Sequence, residues 1–323
     1  MRLIVIGVLF VLTQTATPAP PVAHELARDT YFLAGAMLPG RGPDGNTVIY
    51  VAPSGLIVVD TGRHPWHSDA IVNFARERKQ PVAVIINTHW HLDHSSGNGR
   101  VKAAHPAAKV YTTTAVTRAL APGGFLARNY EAARAKPPDP KASPVRQEET
   151  NLFLATMAKA DVLRPDVAIE RSGILDLAGR KLSVRVAANA VTDADVWLYD
   201  ETASVAVLGD LVTFPAPFFE SACPAGWETA LDEVWATPFR LAVPGHGAPM
   251  TRHQFDTYRG AFKRFRACVG SDAAAATCAA AWTTDIASFL DSDARRREAT
   301  EYANYYVPFL RKGGGASADC LVK

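Results

Sequence analysis

Six consecutive residues, His89-Trp90-His91-Leu92-Asp93-His94, set three imidazoles and a carboxylate on one short stretch. The residues that follow, Ser95-Ser96-Gly97-Asn98-Gly99, have the Gly/Ser character of a loop. Imidazole nitrogen and carboxylate oxygen are the ligands that Zn²⁺ takes, and Fe and Mn accept them too. Imidazoles at alternate positions, then a carboxylate and an adjacent imidazole, can feed two neighbouring cations from one turn. A lone histidine is usually a surface residue or a satisfied core group; four ligand-type side chains at one place are not explained that way. Further ligand types stand at Asp210, in Gly209-Asp210, and at His246, in Gly245-His246-Gly247. The chemistry such a set supports is hydrolysis, because a bound cation makes water acidic enough to attack near neutral pH and polarises the bond under attack. No Ser or Cys nucleophile with a partner base is evident, so a covalent route is not supported.

These residues need a scaffold that brings them together. Tyr31–Leu33, Thr47–Val51 and Leu56–Val59 read as strands, the latter two joined by Pro53-Ser54-Gly55. Asp60 ends the third strand. Pro65 fits the first position of a helix with Trp66, Ala70, Ile71 and Phe74 on one face. Val82–Ile86 is a continuous apolar run, as in a strand covered on both faces, and the histidine cluster begins three residues after it. The cluster is therefore expected on a loop at the carboxyl end of a buried strand, where α/β architectures place their chemistry. A second series of strands, Val167–Glu170, Leu182–Val186, Val196–Tyr199 and Val205–Leu208, ends at Asp210, and a strand at Leu241–Val243 runs into His246. Residues 121–165, with Pro137-Pro138-Asp139-Pro140 between alanine-rich charged stretches, read as a helical insertion, either a lid over the site or a solvated extension. Phe255, Tyr258, Phe262 and Phe265 recur at helical spacing and mark a C-terminal helical extension over 256–323.

Thr88-His89-Trp90-His91-Leu92-Asp93-His94 resembles the HxHxDH signature of the metallo-β-lactamase superfamily, which includes β-lactamases, glyoxalase II, lactonases and arylsulfatase-like hydrolases. Asp60-Thr61-Gly62, Gly209-Asp210 and Gly245-His246-Gly247 are similar to its other motifs, in the right order, over roughly residues 30–255. The resemblance implies an α/β fold, a four-layer αββα sandwich with the metals among the loops of the two sheets. It implies that His89 and His91 belong to a first metal site, that Asp93, His94 and His246 belong to a second, and that Asp210 bridges them. Asp60 would orient a ligand from behind, and Asp93 would act catalytically, holding the attacking water and passing a proton to the leaving group. The implied cofactor is one or two Zn²⁺, with Fe or Mn open, and the implied substrate is a small ester, lactone or β-lactam.

One position departs from that pattern. The family's third histidine precedes a Thr, and Ala190-Val191-Thr192-Asp193-Ala194-Asp195 places Val191 there. Valine cannot ligate a metal, so the first site keeps His89, His91 and the shared Asp210. Three readings stay open: a binuclear enzyme whose first site is completed by water or by Asn189, Asp193 or His64; an enzyme working through the second site alone; and a non-catalytic relative on the same scaffold. Of the remaining histidines, His64 is read as ending a turn, and His67, His105 and His253 as surface or helix-end residues. Trp90 is read as packing. Phe214, Phe218 and Phe219 wall an apolar pocket or belong to the core.

The rest of the chain bounds the setting. Arg2, an apolar run from Leu3 to Leu12 and the small residues after it describe a secretory signal peptide over residues 1–23, too short to span a bilayer comfortably. A periplasmic or secreted protein is expected, with no stable membrane association once the signal is removed. The four cysteines then suggest two disulfides with three possible connectivities; the turn between Cys268 and Cys278 favours that pair, which leaves Cys223 for Cys320. A net charge of +2 over 323 residues, with no basic stripe, gives no support for a nucleic-acid partner.

Overall fold

The computed structural model describes residues 18–136 and 139–320; the expected signal segment lies largely outside them. Two sheets face each other. In the first, seven strands stand side by side in chain order, from His24–Ala27 to Val167–Ala168. In the second, six strands lie in reverse chain order, from Met250–Thr251 at one edge to Gly173–Leu177 at the other. The sheet begins earlier than apolar alternation alone indicates, since His24–Ala27 pairs antiparallel with Thr30–Leu33.

The period of two in the strands decides what each face buries. From the first sheet, Val48, Tyr50, Ile57, Val59, Val84 and Ile86 meet Leu182, Val184, Val196, Leu198 and Val207 of the second in one core between the sheets. The alternate residues face outward. Ile49, Leu56, Val58 and Ile85 pack under Ala70, Ile71 and Phe74 of the helix Pro65–Arg78. Trp197 and Tyr199 pack under the C-terminal helices through Trp227, Phe262 and Trp282. Helix, sheet, sheet and helix give the expected αββα layering. Local chemistry sets the helix ends: Pro65 at the start of the first long helix, and a reciprocal Thr251–Gln254 capping box opening Arg252–Val269.

Both expected disulfides are formed, Cys268 with Cys278 and Cys223 with Cys320. Residues 121–165 carry the helices Phe125–Ala135 and Pro144–Met157. Leu126 and Met157 seat them on Trp90, Leu92 and Val116 beside the histidine loop. No helix among the described residues is long and apolar enough to cross a membrane.

Candidate metal centre

Parallel strand pairs in the two sheets deliver the site. Gly55–Val59 runs parallel to Val82–Ile86, so Asp60 and Thr88 emerge side by side at their carboxyl ends. Val205–Val207 runs parallel to Leu241–Val243, so Asp210 and His246 emerge together from the other sheet. Asp60 sits at φ 60°, a left-handed conformation that Asp tolerates better than most residues. Its carboxylate accepts from the Thr88 amide at 2.8 Å, the Thr88 hydroxyl at 2.7 Å and His94 Nδ1 at 2.8 Å. Asn46 clamps the opposite loop, donating from Nδ2 to the carbonyls of Pro244 at 2.9 Å and Gly247 at 2.8 Å. Two glycines leave room for the ligands. A Cβ on Gly45 would land in the His94 ring, and one on Gly245 would land on Asp210 Oδ1.

All six expected ligands converge. Asp93, His94, Asp210 and His246 form one group and His89, His91 and Asp210 another, with one ligand atom from each residue within 4.8 Å of the others in its group. His246 Nε2 is 2.9 Å from Asp93 Oδ2, and His94 Nε2 is 3.1 Å from Asp210 Oδ1. His89 Nε2 and His91 Nδ1 lie 3.8 Å and 3.9 Å from Asp210 Oδ2.

The hydrogen bonds behind the ligands decide which nitrogens carry protons. A carboxylate only accepts, so the Thr88 hydroxyl spends its one proton on Asp60. His89 Nδ1, 2.9 Å from that hydroxyl oxygen, must then donate to it, which leaves Nε2 bare and facing Asp210. In the same way His94 Nδ1–H donates to Asp60, which turns its Nε2 toward Asp93, Asp210 and His246. His89 Nε2 and Asp210 Oδ1 are buried and have no hydrogen-bond partner among the described residues. Lone pairs directed at one another without a proton between them are what a cation would satisfy.

Electrostatics point the same way. Burial, with His91 and His94 adding to it, holds His89 well below the ordinary imidazole range, so it stays neutral. Burial opposes charge on His94 as well, but Asp210, Asp93 and Asp60 outweigh it and raise that imidazole well above its ordinary value. Burial would raise Asp93 and Asp210, yet His94 and His246 hold both carboxyls low. This is an acidic centre suited to positive charge, which a divalent ion would supply while leaving the imidazoles neutral.

The centre opens into a cleft of about 430 Å³. Its walls are Trp90 and Phe125 on one side, Phe214 and Phe218 on another, and Tyr305 and Tyr306 of the helix Asp293–Lys312 on a third. Phe219 instead lies in the outer core against Trp227 and Phe265. Trp90 is packed as expected, against Phe125 at 5.1 Å between ring centroids, and lines the cleft too.

Some residues behave otherwise than their local sequence suggests. His67 is fully buried, not at the surface; its Nε2 is 2.7 Å from Thr47 Oγ1, and burial pushes its pKa down to about 4. His64 does not reach the ligands. It bridges Asp44 Oδ2 at 3.0 Å and Glu149 Oε1 at 2.8 Å. Burial disfavours its charge, but the two carboxylates outweigh burial and raise its pKa. Asp193 pairs with Arg118, away from the ligands. Val191 is buried in the outer core, and Asp195 orders its loop by accepting from the Thr192 amide and hydroxyl. Burial raises Asp195 to about 7. Asp44, Asn46 and Glu149 escape a sequence reading because Asp44-Gly45-Asn46 has the composition of any turn, and Glu149 is one charge among several on an amphipathic helix.

Comparison with known proteins agrees with this architecture. The model of the metallo-beta-lactamase superfamily matches residues 40–249. No curated protein matches the chain. Among solved structures, a metallo-beta-lactamase from Pontibacter korlensis superposes with a TM-score of 0.54 at 17% identity, covering 75% of this chain and 99% of that one. A metallo-beta-lactamase from Hirschia baltica gives 0.51 at 14% identity, covering 73% and 95%. At these identities the likeness is one of fold.

Proposed function

The chain belongs to the metallo-beta-lactamase superfamily, and from that premise we propose that it is an exported metal-dependent hydrolase of a small, uncharged acyl substrate, an ester or lactone in preference to an anionic β-lactam. The observation that carries this reading is the convergence of bare imidazole nitrogens and two carboxylates at the floor of an aromatic cleft. His89, His91 and Asp210 would hold one cation, and Asp93, His94, Asp210 and His246 a second. The bound metal supplies Lewis acidity and an acidified water. Zn²⁺ suits the ligand set best, and Fe or Mn accept it.

The protein's own groups do the rest. Asp93 is the most exposed of the ligand carboxylates, at 16% against 4% for Asp210, and it lines the cleft. It would accept a proton from the attacking water and return it to the leaving group. The aromatic walls bind an apolar acyl body and keep water from it. Charge selects the substrate further. Among the described residues Arg63 is the one Lys or Arg lining the cleft, and Glu149 already holds its Nε at 3.0 Å, while Glu220 adds a carboxylate to the wall. Apart from the metal itself, an anionic substrate would find no free side-chain cation among the described lining residues. The two disulfides suit an oxidising compartment, which supports export.

Val191 favours one competing reading, a metal-retaining relative without turnover. Metal analysis of the purified protein, with hydrolysis assays on nitrocefin, lactones, carboxylic esters, thioesters and phosphodiesters, separates the two. Bound metal with turnover of lactones or esters is expected. Metal without turnover on the whole panel would favour the non-catalytic relative, and absence of both would sink the metal reading itself.

A further inference from the structure

The first cation site has two imidazoles among the described residues, and the His91 nitrogen turned away from it is held by another side chain. That residue is Ser221, which is buried. Its Oγ lies 2.9 Å from His91 Nε2 and 3.0 Å from the carbonyl of Val191. A carbonyl cannot donate, so the hydroxyl proton goes to Val191, and the hydroxyl oxygen must accept from His91 Nε2–H. A neutral imidazole protonated at Nε2 has its lone pair on Nδ1, and Nδ1 is the atom that faces Asp210 Oδ2 at 3.9 Å. The opposite tautomer would strand the Val191 carbonyl and aim an N–H into the cation site.

We propose that Ser221 is the positioning residue of the first metal site, fixing the tautomer and ring plane of His91 by relaying its Nε2–H to the Val191 carbonyl. The inference rests on the metal-site reading above. It follows the logic of Thr88 behind His89, with a carbonyl as the terminal acceptor where Asp60 serves there. Ser221 is itself held on both sides. Cys223 donates its amide to the Ala190 carbonyl at 2.8 Å and is bonded to Cys320, and Ser317 donates its amide to Ala222 and its hydroxyl to the Glu220 carbonyl. Such support behind a ligand is worth about 10–100-fold in metal affinity.

Two measurements test this. Long-range ¹H–¹⁵N NMR of the metal-free protein reads the His91 tautomer directly, and the Nε2–H form is expected. Zn²⁺ titration against a chelating indicator, with metal counting by mass spectrometry, is then compared between wild type and Ser221→Ala. The weaker site should loosen by about 10–100-fold, the tighter site should stay within twofold, and the metal-free melting temperature should fall by only about 2–6 °C for the buried hydrogen bonds lost. Ser221→Thr, which keeps the hydroxyl, should recover most of the loss. An Nδ1–H tautomer in the wild type, or an unchanged weak site in Ser221→Ala, overturns the proposal. Should Ser221→Ala fail to fold, the wild-type tautomer decides alone. A wild type that binds no zinc while showing the Nε2–H tautomer would defeat the metal-site reading and leave the Ser221–His91 link standing.

Discussion

Glu149→Ala should loosen one wall of the cleft and lower stability together. One carboxylate there makes four contacts: Oε1 with His64 Nε2 at 2.8 Å and Arg41 Nη1 at 3.3 Å, and Oε2 with Arg63 Nε and the Gly42 amide, each at 3.0 Å. Its side chain is 11% exposed and that of His64 2%, so the pair is mostly shielded from water. Removing one partner of a buried pair costs roughly 3–5 kcal/mol when the other charge is left uncompensated, but here Asp44 still faces His64 and Glu148 still holds Arg41. These remaining partners and residual solvent access argue for the lower end, about 3 kcal/mol. At about 2 °C per kcal/mol for a protein of this size, the melting temperature should fall by about 6 °C. Glu149 also anchors a helix whose Phe153, one turn further on, lines the cleft. Substrate KM should therefore rise more than kcat falls. Thermal melts and steady-state kinetics on the best substrate of the panel read both effects. A melting temperature within 1 °C of wild type with unchanged KM would refute the idea that this carboxylate fastens the helix to the site.

Three further outcomes are expected. His64 has a raised pKa, so its bridge is intact below its unfolded value of about 6.5 and is lost as pH climbs through the raised folded value. Asp44 and Glu149 are held low by His64 against burial and lose their contribution only as pH falls through their folded values. Melting temperature should thus decline on the alkaline side in the wild type, with His67 already neutral and Arg41 and Arg63 still charged, and that decline should flatten in His64→Gln. Cys320→Ser opens a loop spanning 97 residues and should cost about 2–5 kcal/mol in chemical denaturation; a loss well under 1 kcal/mol would mean that the tail docks without it. Val191→His should raise metal content at the first site, measured as zinc per chain, whereas unchanged content would mean that residue 191 is not where the third ligand belongs.

The ligands were legible because they are local. His89 to His94 lie within one turn of chain, and Asp210 and His246 each follow a short apolar run, so strand ends could be inferred without knowing what they faced. The αββα layering was implied by the resemblance that the motifs and their order carry, not by the strand periods. What supports the site was not legible, because its partners are far apart in sequence. His91 and Ser221 are 130 residues apart, and His64 and Glu149 are 85 apart. Neither Ser221 nor Glu149 sits in a pattern that marks it; only folding creates the contact. His67 is different. It shares a helix face with Ala70, Ile71 and Phe74, and that spacing alone argued for burial over the prior that a histidine near a helix start is exposed.

The bond between Cys223 and Cys320 also imposes an order of events. Ser221 lies in a segment whose covalent tie is made by a residue 97 positions downstream. At about 5–20 residues per second of synthesis, the chain waits roughly 5–20 s between making one cysteine and the other. For most of that interval every proposed metal ligand has already been made, since the last of them, His246, comes soon after Cys223 and long before Cys320. An ion that arrives early meets His91 before its backing residue is tethered, so the quality of the first site becomes a matter of timing: oxidation before metal loading should yield a better-filled centre than the reverse.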